Sequence, residues 1–340
     1  MTVTRAWVTA LPKAELHVHL DGCLRPSTML ELAERAGVAL PARNPSALAD
    51  FMLVRDARNL SEYLQRFETT LSVMQSAEAM ERIAFEFVED VAAEGIRYVE
   101  VRFCPALHPG VGSEAALEAA LAGLARGARA TGARANTIVC GLRTLDPSVS
   151  LAMAELAVRW LGRGVVAFDL AGNEAGHPAS VHAEAFHVAR AGGLALTCHA
   201  GEGAGPASIR EALDVCGAQR IGHGVRLKED QNLYDRVRSA GVPLEMCPTS
   251  NVHTRTVARL ERHPLAEYLG AGIPATINTD SRLMDRITLV DEYLAVHAKL
   301  GLARDALVQV ARNGFAHAFV GEAERRALLT SFDAAVKELA

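Results

Sequence analysis

The stretch Glu15-Leu16-His17-Val18-His19-Leu20-Asp21-Gly22 decides the fold. Residues 15–20 read as a strand, and the turn after them excludes one large class of architecture. A doubly wound open sheet places a glycine-rich phosphate turn after its first strand. His19-Leu20-Asp21-Gly22 is nothing of that kind. Further strand-like runs at 98–105, 136–143, 165–170, 194–199, 220–227, 243–247 and 274–280 bring the number to eight. Helical patterns such as 114–130, 181–191, 208–216 and 231–240 separate them. Strands alternating with helices imply a parallel sheet, and eight such units imply a closed barrel. The expected fold is therefore α/β, a single (β/α)8 TIM-type barrel over residues 1–340. The gap after the first strand is too long for one crossover helix, so about 26–95 is expected to be a helical insertion over one barrel face. The stretch from about residue 289 reads as extra C-terminal helices.

Length and composition agree. A chain of 340 residues suits one such barrel, and half its residues are apolar, enough for a large core. The net charge of −5 carries no basic stripe of the sort a nucleic-acid binder shows. Six widely spaced cysteines without a C-x-x-C pair read as small buried hydrophobes. No apolar run approaches the roughly 18 residues of a membrane span, and the N-terminal residues lack a secretory pattern. The expectation is a cytoplasmic protein without membrane or nucleic-acid partners, as a monomer or a homodimer.

The polar residues at strand ends carry the chemistry. Side chains two apart on a strand share a face, so His17 and His19 point together near the end where barrel enzymes build their sites. An isolated H-x-H is as easily a pair of core histidines. Later strand ends alter the balance: TCHAGEG presents His199 and then Glu202, RIGHGVRL presents His223 between glycines, and ATINTDS ends in Asp280 and Ser281. Several imidazoles and a carboxylate converging on one axis predict a metal site. Nitrogen and carboxylate ligands with one open position suit catalytic zinc, which lowers the pKa of a coordinated water to about 7. Glu202 fits a proton donor and acceptor beside the metal, or else a charge at the start of the next helix. His223 fits either a ligand or a base orienting the water. Asp21 reaches the same mouth, or is simply part of an Asp-Gly turn.

These residues resemble the adenosine deaminase family of the amidohydrolase superfamily. The resemblance rests on LPKAELHVHLDGCLRP, AFEFVEDVAAEGIRYVEVRFCP, VVAFDLAGNE, CHAGEG, RIGHGV, EMCPTSN and INTDSRLM, spread in order from about residue 11 to 290. It implies one Zn2+ per chain held by His17, His19, His199 and Asp280. It also implies Glu202 at the purine N1, Gly172 backbone at N3, Asp21 at the ribose hydroxyls and His223 beside the water. The implied reaction is hydrolysis of a cyclic amidine C–N bond, in which water attacks C6 as Glu202 protonates N1. His223, assisted by Asp280, takes the water's proton; an adenosine-type nucleoside leaves as inosine and ammonia. The insertion would supply an apolar lid. Leu60, Tyr63, Leu64 and Phe67 fall on one helical face, which fits a lid or ordinary packing to the core.

Two positions depart from the family's usual pattern. Ser281 stands where a second Asp usually contacts N7, and its hydroxyl can still donate there; Asn173 replaces the Asp of DLAGDE. Related substrates, namely adenine, aminodeoxyfutalosine or another 5′-modified adenosine, are the alternatives, with a non-catalytic metal- or purine-binding protein a remoter one. A nucleotide is disfavoured because no Lys or Arg cluster flanks the motifs. A two-metal amidohydrolase with a lysine on the fourth strand is disfavoured because VVAFDLAG contains none.

Overall fold

The computed structural model describes residues 2–339. Eight strands lie side by side in chain order: β1 (Lys13–His19), β2 (Ile96–Phe103), β3 (Arg134–Leu142), β4 (Val165–Ala171), β5 (Ala195–Ala200), β6 (Arg220–His223), β7 (Leu244–Met246) and β8 (Ala275–Ile277). Every neighbouring pair is parallel. The seam between the last and first strands closes through Asp280, whose N–H donates to His17 O at 3.1 Å and whose carbonyl accepts from His19 N at 2.8 Å. The result is a (β/α)8 barrel, as the strand count implies. Parallel strands buried on both faces need apolar side chains throughout, which Val99, Val101, Ile138, Val139, Phe168, Leu196 and Ile221 supply.

Helices wrap the barrel on their apolar stripes. Ala77–Ala93, capped by the Ser76 hydroxyl on Ala79 N, turns Met80, Ile83, Ala84, Phe87, Val88 and Val91 inward. It packs along Ser113–Thr131. The two approach closely because Gly123 and Gly127 line the contact. A Cβ at Gly123 would lie 2.1 Å from Glu81 O, and one at Gly127 2.6 Å from Val88 Cβ.

Between β1 and that crossover helix stand Pro26–Ala36, Pro45–Met52, Leu60–Leu64 and Phe67–Leu71, so the segment after the first strand is helical as expected. The single face expected over residues 60–67 is broken into two short helices at Gln65 and Arg66. Leu289–Leu300, Arg304–Ala316 and Glu322–Glu338 form the C-terminal helices, and Arg304–Ala316 packs on β1 and β8. Two strands are shorter than the apolar runs suggest. β6 stops at His223 because Gly224 turns into the left-handed region at φ +68° and a 3-10 turn, Val225–Glu229, follows. β8 stops at Ile277, and Asp280 itself takes φ +62°. Among the described residues all six cysteines are buried and free, and no helix is long and apolar enough to cross a membrane.

The Gly123 contact can be tested. Gly123→Ala must push two packed helices apart against a backbone carbonyl, and overpacking of this kind costs about 1–3 kcal/mol. Thermal unfolding should show a midpoint lower by several degrees. An unchanged midpoint would mean that the helices separate freely.

Candidate active site

The C-terminal ends of the strands bring the expected residues together. His17, His199, His223 and Asp280 each offer a ligand atom, and these atoms lie within 4.8 Å of one another. His19 joins them: its Nε2 is 3.1 Å from His199 Nε2 and 3.4 Å from Asp280 Oδ1. The His17 ring is fully buried, and its Nε2 has no hydrogen-bond partner although it lies 3.5 Å from Asp280 Oδ1. An unpartnered buried nitrogen is costly, and a metal ion is the partner this donor set suits. Two residues reach the centre from strained backbone: His223 and Asp280 sit at φ +63° and +62°, a region non-glycine residues rarely adopt. Gly222 makes room for the group, since a Cβ there would lie 3.0 Å from His199 Cα and 3.1 Å from His17 Cε1. The glycine before His223 therefore serves His17 and β5.

Behind these side chains lies a buried ionic layer. Glu245 Oε2 accepts from His17 Nδ1 at 2.8 Å and from Arg102 Nη2 at 2.8 Å. Glu245 Oε1 accepts from Arg220 Nε at 2.7 Å and Thr197 Oγ1 at 3.0 Å. Arg102 Nη1 reaches Asp169 Oδ2 at 2.9 Å, and that same oxygen lies 2.9 Å from His199 Nδ1. One guanidinium thus holds the two carboxylates that orient His17 and His199 through Nδ1, leaving both Nε2 atoms for the centre. Carboxylate–histidine pairs of this kind fix ring orientation and tautomer at metal sites. Ser250 Oγ donates to Asp280 Oδ2 at 2.6 Å, which leaves Oδ1 toward the histidines.

Glu202 stands on the turn after β5, outside the helix Pro206–Asp214, so it is not a helix-start charge. Its N–H and that of Gly201 donate to the Glu174 carboxylate at 2.9 and 2.7 Å. Thr254 Oγ1 donates to Glu202 Oε1 at 3.0 Å, and Oε2 lies 3.4 Å from His223 Nε2. Burial, with Asp280 and Glu174 nearby, pushes its pKa well above the usual carboxylate range. A buried carboxyl biased toward its protonated form is suited to donate a proton.

These groups face a cavity of about 400 Å³. Leu60, Leu64, Phe67, Leu71, Leu107 and Leu142 give it an apolar lining, with the Phe67 ring 6.3 Å from that of His19, and Asp21, Gly172 and Ser281 line it as well. Asp21 is buried, its Oδ1 has no partner, and burial raises its pKa to about 7. It lies in a short 3-10 turn and is also among the residues that line the cavity. Gly172 takes φ +96°.

The chain matches the adenosine deaminase family over residues 12–335. It is 42% identical to an adenosine deaminase of Mycobacterium sp. (strain JLS), over 95% of this chain and 94% of that protein. The chain belongs to the adenosine deaminase family. Among solved structures it is similar to an adenine deaminase from Arthrobacter aurescens, at 29% identity and TM-score 0.89, over 96% of this chain and 99% of that one. An amidohydrolase from Burkholderia ambifaria with bound zinc shares 26% identity at TM-score 0.88, over 100% of this chain and 96% of that one. The chain is accordingly a hydrolytic deaminase with a buried His/Asp site suited to a metal.

Several residues of this deaminase site escaped the sequence: Arg102, Asp169, Glu245, Glu174, Ser250, Asn251 and Thr254. For the first three a signal existed. VEVRFC holds two charged residues, and AFDLA and PLEMC one each, inside apolar strands, and a charge buried there must be paired.

Arg102→Met leaves Asp169 and Glu245 short of their cation. Removing one partner of a buried ion pair costs about 3–5 kcal/mol, so the urea midpoint should fall sharply. A midpoint within error of the parent would show that water or the histidines neutralise both carboxylates.

Proposed function

We propose that the protein hydrolyses adenosine or 2′-deoxyadenosine to inosine or 2′-deoxyinosine and ammonia, with one zinc ion held by His17, His19, His199 and Asp280. The observation that carries the proposal is the buried Glu202 carboxyl standing beside five metal-type side chains at one cavity. Bound there, zinc would act as a Lewis acid and lower the pKa of water to about 7. The residues supply the rest. Glu202 donates its proton to purine N1 as C6 is attacked, held for that task by Thr254 and by Glu174 behind its turn. Gly172 backbone meets N3, and the Ser281 hydroxyl donates to N7. Asp21, with a free buried oxygen, accepts a ribose hydroxyl. His223 faces the attacking water. The segment at about 26–95 serves as the roof of one barrel unit spanning 1–340, its Leu60, Leu64, Phe67 and Leu71 excluding water from the base.

The slot favours a nucleoside. Among the described residues no Lys or Arg lines it, while Asp21 and Glu68 do, so a 5′-phosphate finds repulsion and no cation to pair with there. Free adenine would leave Asp21 unused. A panel of kcat/KM for adenosine, 2′-deoxyadenosine, adenine, 5′-modified adenosines and AMP tests this. The first two should lead. A lead for adenine or AMP would overturn the nucleoside assignment, and zinc-loaded protein that releases no ammonia from any of them would overturn the deaminase itself.

Glu202→Gln should keep its zinc and lose a factor of about 10²–10⁴ in kcat, the usual weight of positioned acid catalysis. Near-normal turnover in a zinc-replete variant would remove Glu202 from the N1 proton transfer.

A further inference from the structure

His263 is not among the residues that line the cavity, is buried at 4% exposure, and hydrogen-bonds to Asn251 and Leu265. It begins a chain of hydrogen bonds whose direction is set by a backbone amide. Leu265 N–H, which can only donate, reaches His263 Nδ1 at 3.3 Å. Nδ1 therefore carries a lone pair. Burial and the nearby Lys228 charge push the His263 pKa down to about 3, so the ring is neutral and its one proton sits on Nε2. That nitrogen lies 3.2 Å from the Asn251 side-chain oxygen. The amide orientation of Asn251 is thereby set, because a donor must meet the oxygen and not the NH2 group. Asn251 Nδ2 then points the other way, 3.1 Å from His223 Nδ1 and 3.5 Å from Glu202 Oε1. His223 Nδ1 can only accept there.

We infer that His263, through Asn251, fixes His223 as the tautomer protonated on Nε2, making it a hydrogen-bond donor toward the attacking oxygen. The inference rests on the deaminase reading only in naming what His223 faces. It separates two ligand sets that distances alone leave open, since His223 stands as close to the centre as His19 does. Coordination through His223 Nε2 would need the proton on Nδ1, opposite the Asn251 NH2 group. Turning Asn251 over would relieve that clash only by setting its NH2 against His263 Nε2–H. Relieving that in turn would move the His263 proton to Nδ1, against Leu265 N–H. Each reversal leaves two buried donors face to face. His223 is thus neither a ligand nor, in its resting tautomer, the acceptor of the water's proton, because no lone pair of its ring faces the cavity. On the same chain Glu202 Oε1 receives Thr254 Oγ1–H and Asn251 Nδ2–H, while Oε2, 3.4 Å from His223 Nε2, can accept that N–H on a lone pair and point its own proton elsewhere.

Long-range 1H–15N correlation spectra of 15N-histidine-labelled, zinc-loaded protein distinguish the two neutral tautomers, and the His223 signals are assigned by their loss in His223→Gln. The expected pattern has Nε2 protonated and Nδ1 bare. Asn251→Asp is isosteric but offers only acceptors, so it should move the His223 proton to Nδ1 and lower kcat about 10–100-fold, the usual weight of residues that orient others at metal sites. His263→Phe, which fills the space without a donor, should loosen the preference and lower kcat more than it raises KM. His263→Gln retains a donor and should restore both. A parent spectrum with His223 protonated on Nδ1 would overturn the inference, as would an unmoved tautomer in Asn251→Asp. The spectra are recorded without substrate, so their outcome is independent of the substrate panel, and the parent spectrum decides the matter even if a variant fails to fold.

Discussion

Arg102 sits inside the barrel between Asp169 and Glu245, and the site is built on that contact. Barrel interiors are ordinarily filled by branched apolar side chains. Here one layer instead holds Glu100, Arg102, Asp169, Arg220 and Glu245, all at 0–1% exposure. Taking such charges out of water is expensive, and a buried pair of this sort is weak evidence for stability. What the layer provides is direction. Asp169 and Glu245 each bind both the Arg102 guanidinium and one imidazole Nδ1, so His17 and His199 are each left with Nε2 facing the centre. Five residues from β2, β4, β6 and β7 thereby aim two side chains that stand on β1 and β5.

A second dependence links closure of the barrel to the site. Asp280 joins β8 to β1 through its own N–H and carbonyl, and its carboxylate stands among the histidines. Its left-handed backbone is the geometry that lets one residue do both, and such strain, of order 1–3 kcal/mol, persists only where surroundings over-determine it. His223 shows the same conformation at the end of β6. The short helix Pro248–His253 after β7 then locks the arrangement from one side, because Ser250 holds Asp280, and Asn251 and Thr254 just beyond it hold His223 and Glu202. The Glu292 carboxylate accepts Thr249 N at that helix's first turn. Protons, charges and ring orientations at the centre are therefore decided by residues that never enter the cavity.

The barrel was legible because its signal is local. Eight apolar runs, spaced by helical patterns, leave little choice of architecture, and His17, His19, His199, Glu202, His223, Asp280 and Ser281 stand at or just past strand ends where their positions alone imply convergence. Errors arose where an apolar run outlasts its strand. Residues 224–227 continue the hydrophobic pattern of β6, but the left-handed turn at Gly224 takes them out of the ladder. The broken helix at Gln65 and Arg66 is a second difference: period and composition fit one helix, and the chain forms two short ones.

From the sequence alone come the (β/α)8 fold, the set of side chains that meet at its mouth and the class of chemistry they suit, because strand periodicity and strand ends are properties of neighbouring residues. Which carboxylate aims which imidazole, why Asn251 must face His223 with its amide nitrogen, and why Asp280 can both close the sheet and face the histidines were decided only by the tertiary structure. These depend on pairs such as Arg102 with Glu245 and Asn251 with His263, whose partners are brought within hydrogen-bond reach only when the chain closes into a barrel.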